Sequence, residues 1–539
     1  MKKKSISFDK LLFQKLFRDY TKQHPDILQF FESDPYSDKA IENRIHDLKF
    51  KGDRKKSAEL LKKFNKQFDA SDKTLRSVEK ISLENSVAVV TGQQVTLMGG
   101  PLFTIYKTLT AINLAKYIEK NYNIPAVPVF WMADEDHDFE EVNSIKIPEG
   151  KKLKSFNVSA GHQTEIPSAE IEFNSDIEEV ISKLKSVLHD TEFSPSLWNI
   201  LTQYYKPGST FANAFAKWML HLFEDHGLIV AGSNFDPIKK QLSKPLAKCV
   251  SEADKLFAHL EKSSENLENY GYHRQVHLQK SNIFWLDENR RRRKLKTENG
   301  TWSAEGVEHE WTREELVQKI KNSPEQFSPN VFLRPVLQDY LLPNAATVAG
   351  SGEVAYYAQM KEFYHEFGIN MPLIYPRISV TLMESGIDRI FGKLPFSVQD
   401  YSKRIEDLES EFVEKADTPD IESIFDSWKK ESEQILESKK SVIGNIDPTL
   451  VNSAEKANAI FSGELDKLKG KVYRSVKQQE KVQINRIKKI QQNLFPDSNL
   501  QEREFVFIYF MNKYGLDIWD KLLEEFESED SKTHKVVCL

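Results

Sequence analysis

The chain has 539 residues, 40% hydrophobic and 29% charged, with a formal net charge of −6. That length implies roughly two to four domains, and the mild acidity argues against a general affinity for nucleic acid or anionic membranes. No apolar run approaches the ~20 residues that span a bilayer, and the basic start, MKKKSISFDKLLF, has no apolar stretch of the signal-peptide kind.

Cys249 and Cys538 match no metal or disulfide spacing. The expectation is a reduced, cytoplasmic protein, with Cys249 a small buried hydrophobe rather than a nucleophile.

Residues 1–84 read as short amphipathic helices, with Leu11, Leu12, Leu16 and Phe17, then Leu60, Leu61, Phe64 and Phe68, at helical spacing. NSVAVVTG (85–92) reads as a buried strand. A helix opens at Pro101, with Leu102, Ile105, Leu109, Ile112 and Tyr117 as its apolar face. IPAVPVFWMA (124–133) is continuously apolar, the mark of a strand covered on both sides. Strand, helix and strand in this order predict a parallel sheet.

The alternation in EIPSAEIEF suggests an inserted subdomain at about 145–205. The next helix (209–227) has Ser209 or Thr210 to cap it and Gly227 to end it. LIVAGSN (228–234) is a third buried strand. A second insertion, at about 252–327, reads as a hairpin with Asn299-Gly300 as a turn and the NRRRRK run (289–294) as a solvated tip, favoured over a phosphate-binding role. NAATVAGSGEVAYYAQMKEFYHEFG (344–368) gives strand, glycine turn and helix, and 369–382 one further strand.

The Rossmann-like core is thus expected at 85–384 and a helical coiled-coil domain at 385–498, followed by helices over 499–539. In the coiled-coil segment Asp447 and Pro448 open a run of about 45 residues without a break, with a shift of apolar phase between Val476 and Ile484. Such a run reads as an antiparallel hairpin or coiled coil that forms a homodimer, with Phe425 and Trp428 left for a second subunit.

Ligands of open parallel sheets sit beyond the carboxyl ends of the strands. Four loops fall there: TGQQVTLMGG, DEDHD, SNFD and GSGE. The first offers Thr91, Gly92, Gln93 and Gln94 to a substrate, and Gly99, Gly100 and Leu102 as an anion site where the helix opens. Ser351 and Gly352, in a weak G-x-G-x-x-A match, and Arg377 after the next strand are candidates for phosphate or another anion.

The run Asp134-Glu135-Asp136-His137-Asp138 cannot lie in a dry core. Three readings stand: a metal site, a solvated acidic turn, or polar substrate binding with Asp134, Asp136 or His137 as acid–base groups. No metal is assigned. Tyr106 and Asp138 complete the expected substrate-binding set.

Together, VVTGQQVTLMGGPLFTIYKTLTAINLA, VPVFWMADEDHDFEEVNSI, the segment from FLRPVLQDY to LIYPRIS and the late LFPDSNLQERE make the chain similar to the cysteine ligase family of bacillithiol biosynthesis. The resemblance spans nearly the whole chain. It implies a core akin to class I aminoacyl-tRNA synthetases, a coiled coil used for dimerisation, and amide formation between the carboxyl group of L-cysteine and the amine of glucosaminyl-malate. It associates nucleotide binding, ATP included, with the fold. Gln93-Gln94 stands where that superfamily usually has a histidine pair. Two other classes are weighed beside it: a metal-dependent hydrolase using Asp134–Asp138, and a non-enzymatic coiled-coil partner protein.

Overall fold

The structure is a computed structural model that describes residues 2–150, 152–161, 163, 165–298, 300–415, 420–527 and 529–539. It divides into two compact units. The first comprises Met1–Glu149, Lys154–Thr381 and Glu502–Val537, and the second Gly150–Leu153, Leu382–Gln501 and Cys538–Leu539.

The first unit is built on five parallel strands: β1 (Val87–Gln94), β2 (Ala126–Ala133), β3 (Ile229–Gly232), β4 (Asn344–Ala349) and β5 (Leu373–Pro376). Their spatial order is β5-β4-β1-β2-β3, so strand order reverses between β1 and β4. β1 lies against β2 from Val87 opposite Ala126 to Gln94 opposite Ala133, which brings both carboxyl ends to one edge. Every residue of β2 is buried, as its unbroken apolarity requires.

Helix α1 (Leu102–Tyr122) covers the sheet: Ala111, Leu114 and Ile118 pack with Val87, Val89, Val348 and Leu373. Tyr117, expected on its apolar face, is instead exposed, and its hydroxyl donates to Asp38 at 2.6 Å. Helix α2 (Phe211–Leu222) starts at Thr210, whose side chain accepts from the Asn213 N–H, and Gly227 takes a left-handed conformation ahead of β3.

Within EIPSAEIEF, Ser168–Glu170 is a short 3-10 helix. Two readings from sequence change. The 369–382 segment is two strands, because β5 ends at Pro376 and Ser379–Met383 joins a separate three-stranded sheet with Lys2–Ile6 and His534–Cys538. The 252–327 insertion is larger than a hairpin: four of its strands, together with Phe327–Pro329, form a five-stranded antiparallel sheet. Asn299, of the expected turn, lies outside the described residues.

The second unit contains α3 (Ile421–Ile446), α4 (Leu450–Gln479) and α5 (Lys481–Leu494). Ion pairs Lys429–Asp466 (2.6 Å) and Lys440–Glu455 (2.8 Å) tie α3 to α4 in antiparallel register. The expected unbroken run is interrupted at Glu480, where the apolar phase shifts. Phe425 faces inward, buried with Leu465 and Val476, so it is not left for another subunit. Trp428 remains 43% exposed. Among the described residues no helix is long and apolar enough to cross a membrane.

Candidate active site

Two neighbouring cavities of about 360 and 310 Å³ lie beyond the carboxyl ends of the core strands. They share Ala133, Asp136, Val276 and Arg334. The first sits where strand order reverses, between the end of β1 and the turn after β4, the place where open α/β sheets bind ligands.

The first lobe is rich in cations. Lys107 comes from α1, where it is buried against the sheet. Its Nζ donates to the Gly92 carbonyl at 2.8 Å and to Gln93 Oε1 at 3.1 Å, and it pairs with Glu353 at 2.6 Å. Burial pulls the Lys107 pKa below its usual value in spite of Glu353. Glu353 in turn accepts the Gly350 N–H at 2.7 Å and so closes the turn that carries Ser351 and Gly352. All of Gly92, Gln93, Gln94, Ser351, Gly352 and Arg377 border this lobe.

Arg377 enters it from behind. Its two terminal nitrogens reach Glu502 at 3.0 and 2.6 Å, while its buried Nε has no hydrogen-bond partner among the described residues. The same buried group holds His534, whose nitrogens lie 2.8 Å from Ser379 Oγ and 2.9 Å from Thr381 Oγ1.

Burial pushes the His534 pKa down to about 4 against the counteracting charge of Glu502. The folded pKa lies below the unfolded value of ~6.5, so the stabilisation is complete above that value and is lost as pH falls towards 4. Between pH 7.5 and 5, stability should drop by about 2 kcal/mol from this group alone. Urea midpoints of the wild type and His534→Gln at both pH values test this. An equal drop in both proteins would remove His534 as the cause.

The second lobe is bordered by the carboxylates Asp134, Glu135 and Asp136 with Phe284 and Arg292. The acidic run is neither a solvated turn nor free to act as one cluster. Asp134 is buried, and its Oδ1 accepts the Ser233 and Asn234 N–H groups, each at 3.2 Å. Burial and the adjacent Glu135 push the Asp134 carboxyl up to about 8. Glu135 pairs with the buried Lys239 at 2.6 Å and accepts from the Ser233 hydroxyl.

Asp136 is the one of the three that also reaches the first lobe. Gln94 Nε2 donates to it at 3.0 Å, and Arg292 lies 3.6 Å away. Burial raises its pKa, but Arg292, Arg334 and Gln94 outweigh that and hold it below the usual carboxylate value.

Gly232 makes this arrangement possible, because a Cβ there would meet Asp134 Oδ2 at 2.1 Å. Gly232→Ala should displace the carboxyl and cost about 1–3 kcal/mol. An unchanged melting temperature together with unchanged turnover would show that Asp134 moves aside freely.

The remaining expected residues are not brought to either cavity. The buried Thr91 hydroxyl donates to the Val348 carbonyl at 3.1 Å, clamping β1 to β4. Tyr106 is wholly enclosed. Gly99 and Gly100 have φ of +85° and +74° and abut Phe507 and Thr96, so they are turn residues packed inside the fold. The Leu102 N–H donates to the Phe505 carbonyl at 2.9 Å, which fills the expected anion site.

His137 and Asp138 are exposed and line neither cavity. His137 Nδ1 lies 3.4 Å from Arg292, and partial loss of solvation together with that positive charge keeps its pKa low. Cys249 is buried, and burial pushes its thiol pKa upward. Among the described residues no group of three or more His, Cys, Asp or Glu is placed to hold a metal ion.

Sequence reasoning missed Lys107, Arg334, Glu353 and the arginine run. Arg292 is no solvated tip: it stacks on Phe284 at 3.9 Å and reaches Ser328 at 2.9 Å, while Arg290 pairs with Glu170. A lysine within the apolar face of a helix and an arginine inside VFLRPVL were the available signals.

A parallel sheet that gathers charged side chains beyond its strand ends, at the point of order reversal, defines an enzyme of the Rossmann-like class. The chain belongs to the BshC family of bacillithiol biosynthesis. The family's N-terminal Rossmann-like domain matches residues 1–378 and its C-terminal coiled-coil domain residues 380–539. The protein named "Putative cysteine ligase BshC" in Salinibacter ruber is 34% identical over 530 residues, 97% of this chain and 96% of its own length. The protein of that name in Chlorobaculum tepidum is 30% identical over 546 residues (98% and 97%), and that of Bacillus cytotoxicus 28% over 525 residues (97% of each). With these relatives the chain is a ligase.

Proposed function

We propose that this ligase joins the carboxyl group of L-cysteine to the amine of glucosaminyl-malate, making the amide of bacillithiol in the cytoplasm. The observation that carries the reading is the division of one cleft into a cation-rich and a carboxylate-rich lobe, in a chain that matches the family along its length. Acyl transfer brings an anionic acyl partner beside an amine that arrives as an ammonium and must lose a proton before its nitrogen attacks, and Asp136 stands where the lobes meet. Its carboxylate holds and orients the ammonium and accepts the proton that leaves before the amine attacks.

A carboxylate anion is a poor acyl donor, and a bound nucleotide, ATP in the first instance, supplies the activation. The residues that fit its phosphates are Lys107, the Ser351–Gly352 turn and Arg377, whose orphaned buried Nε supports a polar acceptor in this lobe. Purified protein with cysteine, glucosaminyl-malate and ATP, each omitted in turn, tests the reading by mass spectrometry. No amide product from the complete mixture would overturn it.

The coiled coil is proposed to form a homodimer. Ile424, Trp428, Ile435, Val442 and Ile460 are exposed apolar residues on α3 and α4, more than a solvated hairpin needs. Light scattering at micromolar concentration should give twice the 62.4 kDa chain mass. A monomer at that concentration would sink the proposal.

A further inference from the structure

The charges around the two lobes are unevenly satisfied. Lys107 is paired with Glu353, and Arg377 with Glu502. Arg292 is held by Asp136, Ser328 and the Pro329 carbonyl. Arg334 differs: among the described residues it makes no ion pair, although it is largely withdrawn from solvent. Asp136 and Glu353 act on it from beyond ion-pair distance, and the Tyr356 hydroxyl is its polar neighbour.

Its position is fixed by its helix, Leu333–Leu341. Asn330 Oδ1 accepts the Phe332 and Leu333 N–H groups, both at 3.0 Å, and the Arg334 N–H donates to the Asn330 carbonyl at 3.0 Å. Arg334 also borders both cavities, whereas Arg503, the other cation of the first lobe without an ion pair, is exposed and borders one.

Distant carboxylates keep this partly dehydrated guanidinium charged, but no oxygen of a carboxylate sits within ion-pair distance of it, so its fork is open to an incoming anion. Its planar fork suits two oxygens of one anion.

We propose that Arg334 is the anion-positioning residue of the cleft: its guanidinium takes a carboxylate or phosphate group of a ligand that passes between the two lobes. This deepens the ligase reading and rests on it for the ligand's role, not for its binding. The anion has two sources, a malate-type dicarboxylate or a nucleotide phosphate.

The test is calorimetry and thermal shift on the full chain with L-malate alone and with ATP alone. It uses the wild type, Arg334→Gln, Arg334→Lys and the exposed control Arg76→Gln. At least one anion should bind the wild type and the control equally. Arg334→Gln should weaken that binding about 10- to 100-fold, and Arg334→Lys should restore part of it. The anion affected names the source.

Should Arg334→Gln not fold, Arg334→Lys decides, since a point charge without the fork should still bind measurably more weakly. Equal affinity in the wild type and the folded Arg334 variants, or no binding of either anion by the wild type, overturns the proposal. Arg334-dependent binding without amide product in the coupling assay would leave this proposal standing and remove the ligase reading.

Discussion

Glu502→Ala should lower stability by about 3–5 kcal/mol, the largest loss expected of any single change in the first unit. Glu502 is fully buried and accepts four hydrogen bonds: two from Arg377, one from the Ser379 hydroxyl at 3.0 Å and one from the Val380 N–H at 2.9 Å. Alanine leaves a buried guanidinium without its carboxylate and the buried Val380 N–H without its acceptor. The pair itself is worth much less than this, because two charges must first leave water. The double variant Arg377→Met, Glu502→Leu should therefore recover a large part of the loss. Urea unfolding of Arg377→Met, Glu502→Leu and the double variant completes the cycle. A double variant no better than the sum of the singles would show that the cost lies in packing and not in the orphaned charge.

Asp136→Asn should reduce amide formation by about 10²–10³-fold while the melting temperature moves by no more than about 2 °C. The substitution keeps the shape and the acceptor for Gln94 but removes the charge that faces the ammonium. His137→Gln is the informative comparison, since His137 lines neither cavity and Nδ1 already faces Arg292. Its effect should be under tenfold. If His137→Gln abolishes turnover and Asp136→Asn does not, the roles assigned to these neighbours are reversed.

The core strands were legible because burial on both faces demands an unbroken apolar run, and VAVV and VPVFWMA can satisfy nothing else. The Thr210 cap and the Gly227 stop were legible for a similar reason: each satisfies a local rule. The site was legible only by position. Gln93 and Gln94 border the cleft because they end a core strand, and Asp136, Ser351, Gly352 and Arg377 because they follow core strands.

What decides their chemistry comes from far away in sequence. Asp134 is spent on the backbone after β3, Arg377 on Glu502, and Arg292 reaches Asp136 from an inserted sheet. None of these pairings leaves a periodic trace. The arginine run was misread for that reason, since a charge run next to a turn looks the same whether it meets water or carboxylates.

The three-part construction of the first unit bears on how the protein is made. The His534 that serves Ser379 is 155 residues further along the chain. At a synthesis rate of ~5–20 residues per second, roughly 8–30 s separate the two as they leave the ribosome. For the first part of that interval, roughly 6–25 s over the 125 residues from Arg377 to Glu502, the nascent chain has produced all five core strands and Arg377 without the Glu502 carboxylate that pairs with it. Vectorial folding from the amino end therefore proceeds without the last segment's contacts to Arg377 and Ser379, and a ribosome pause in the coiled-coil coding region would prolong that interval.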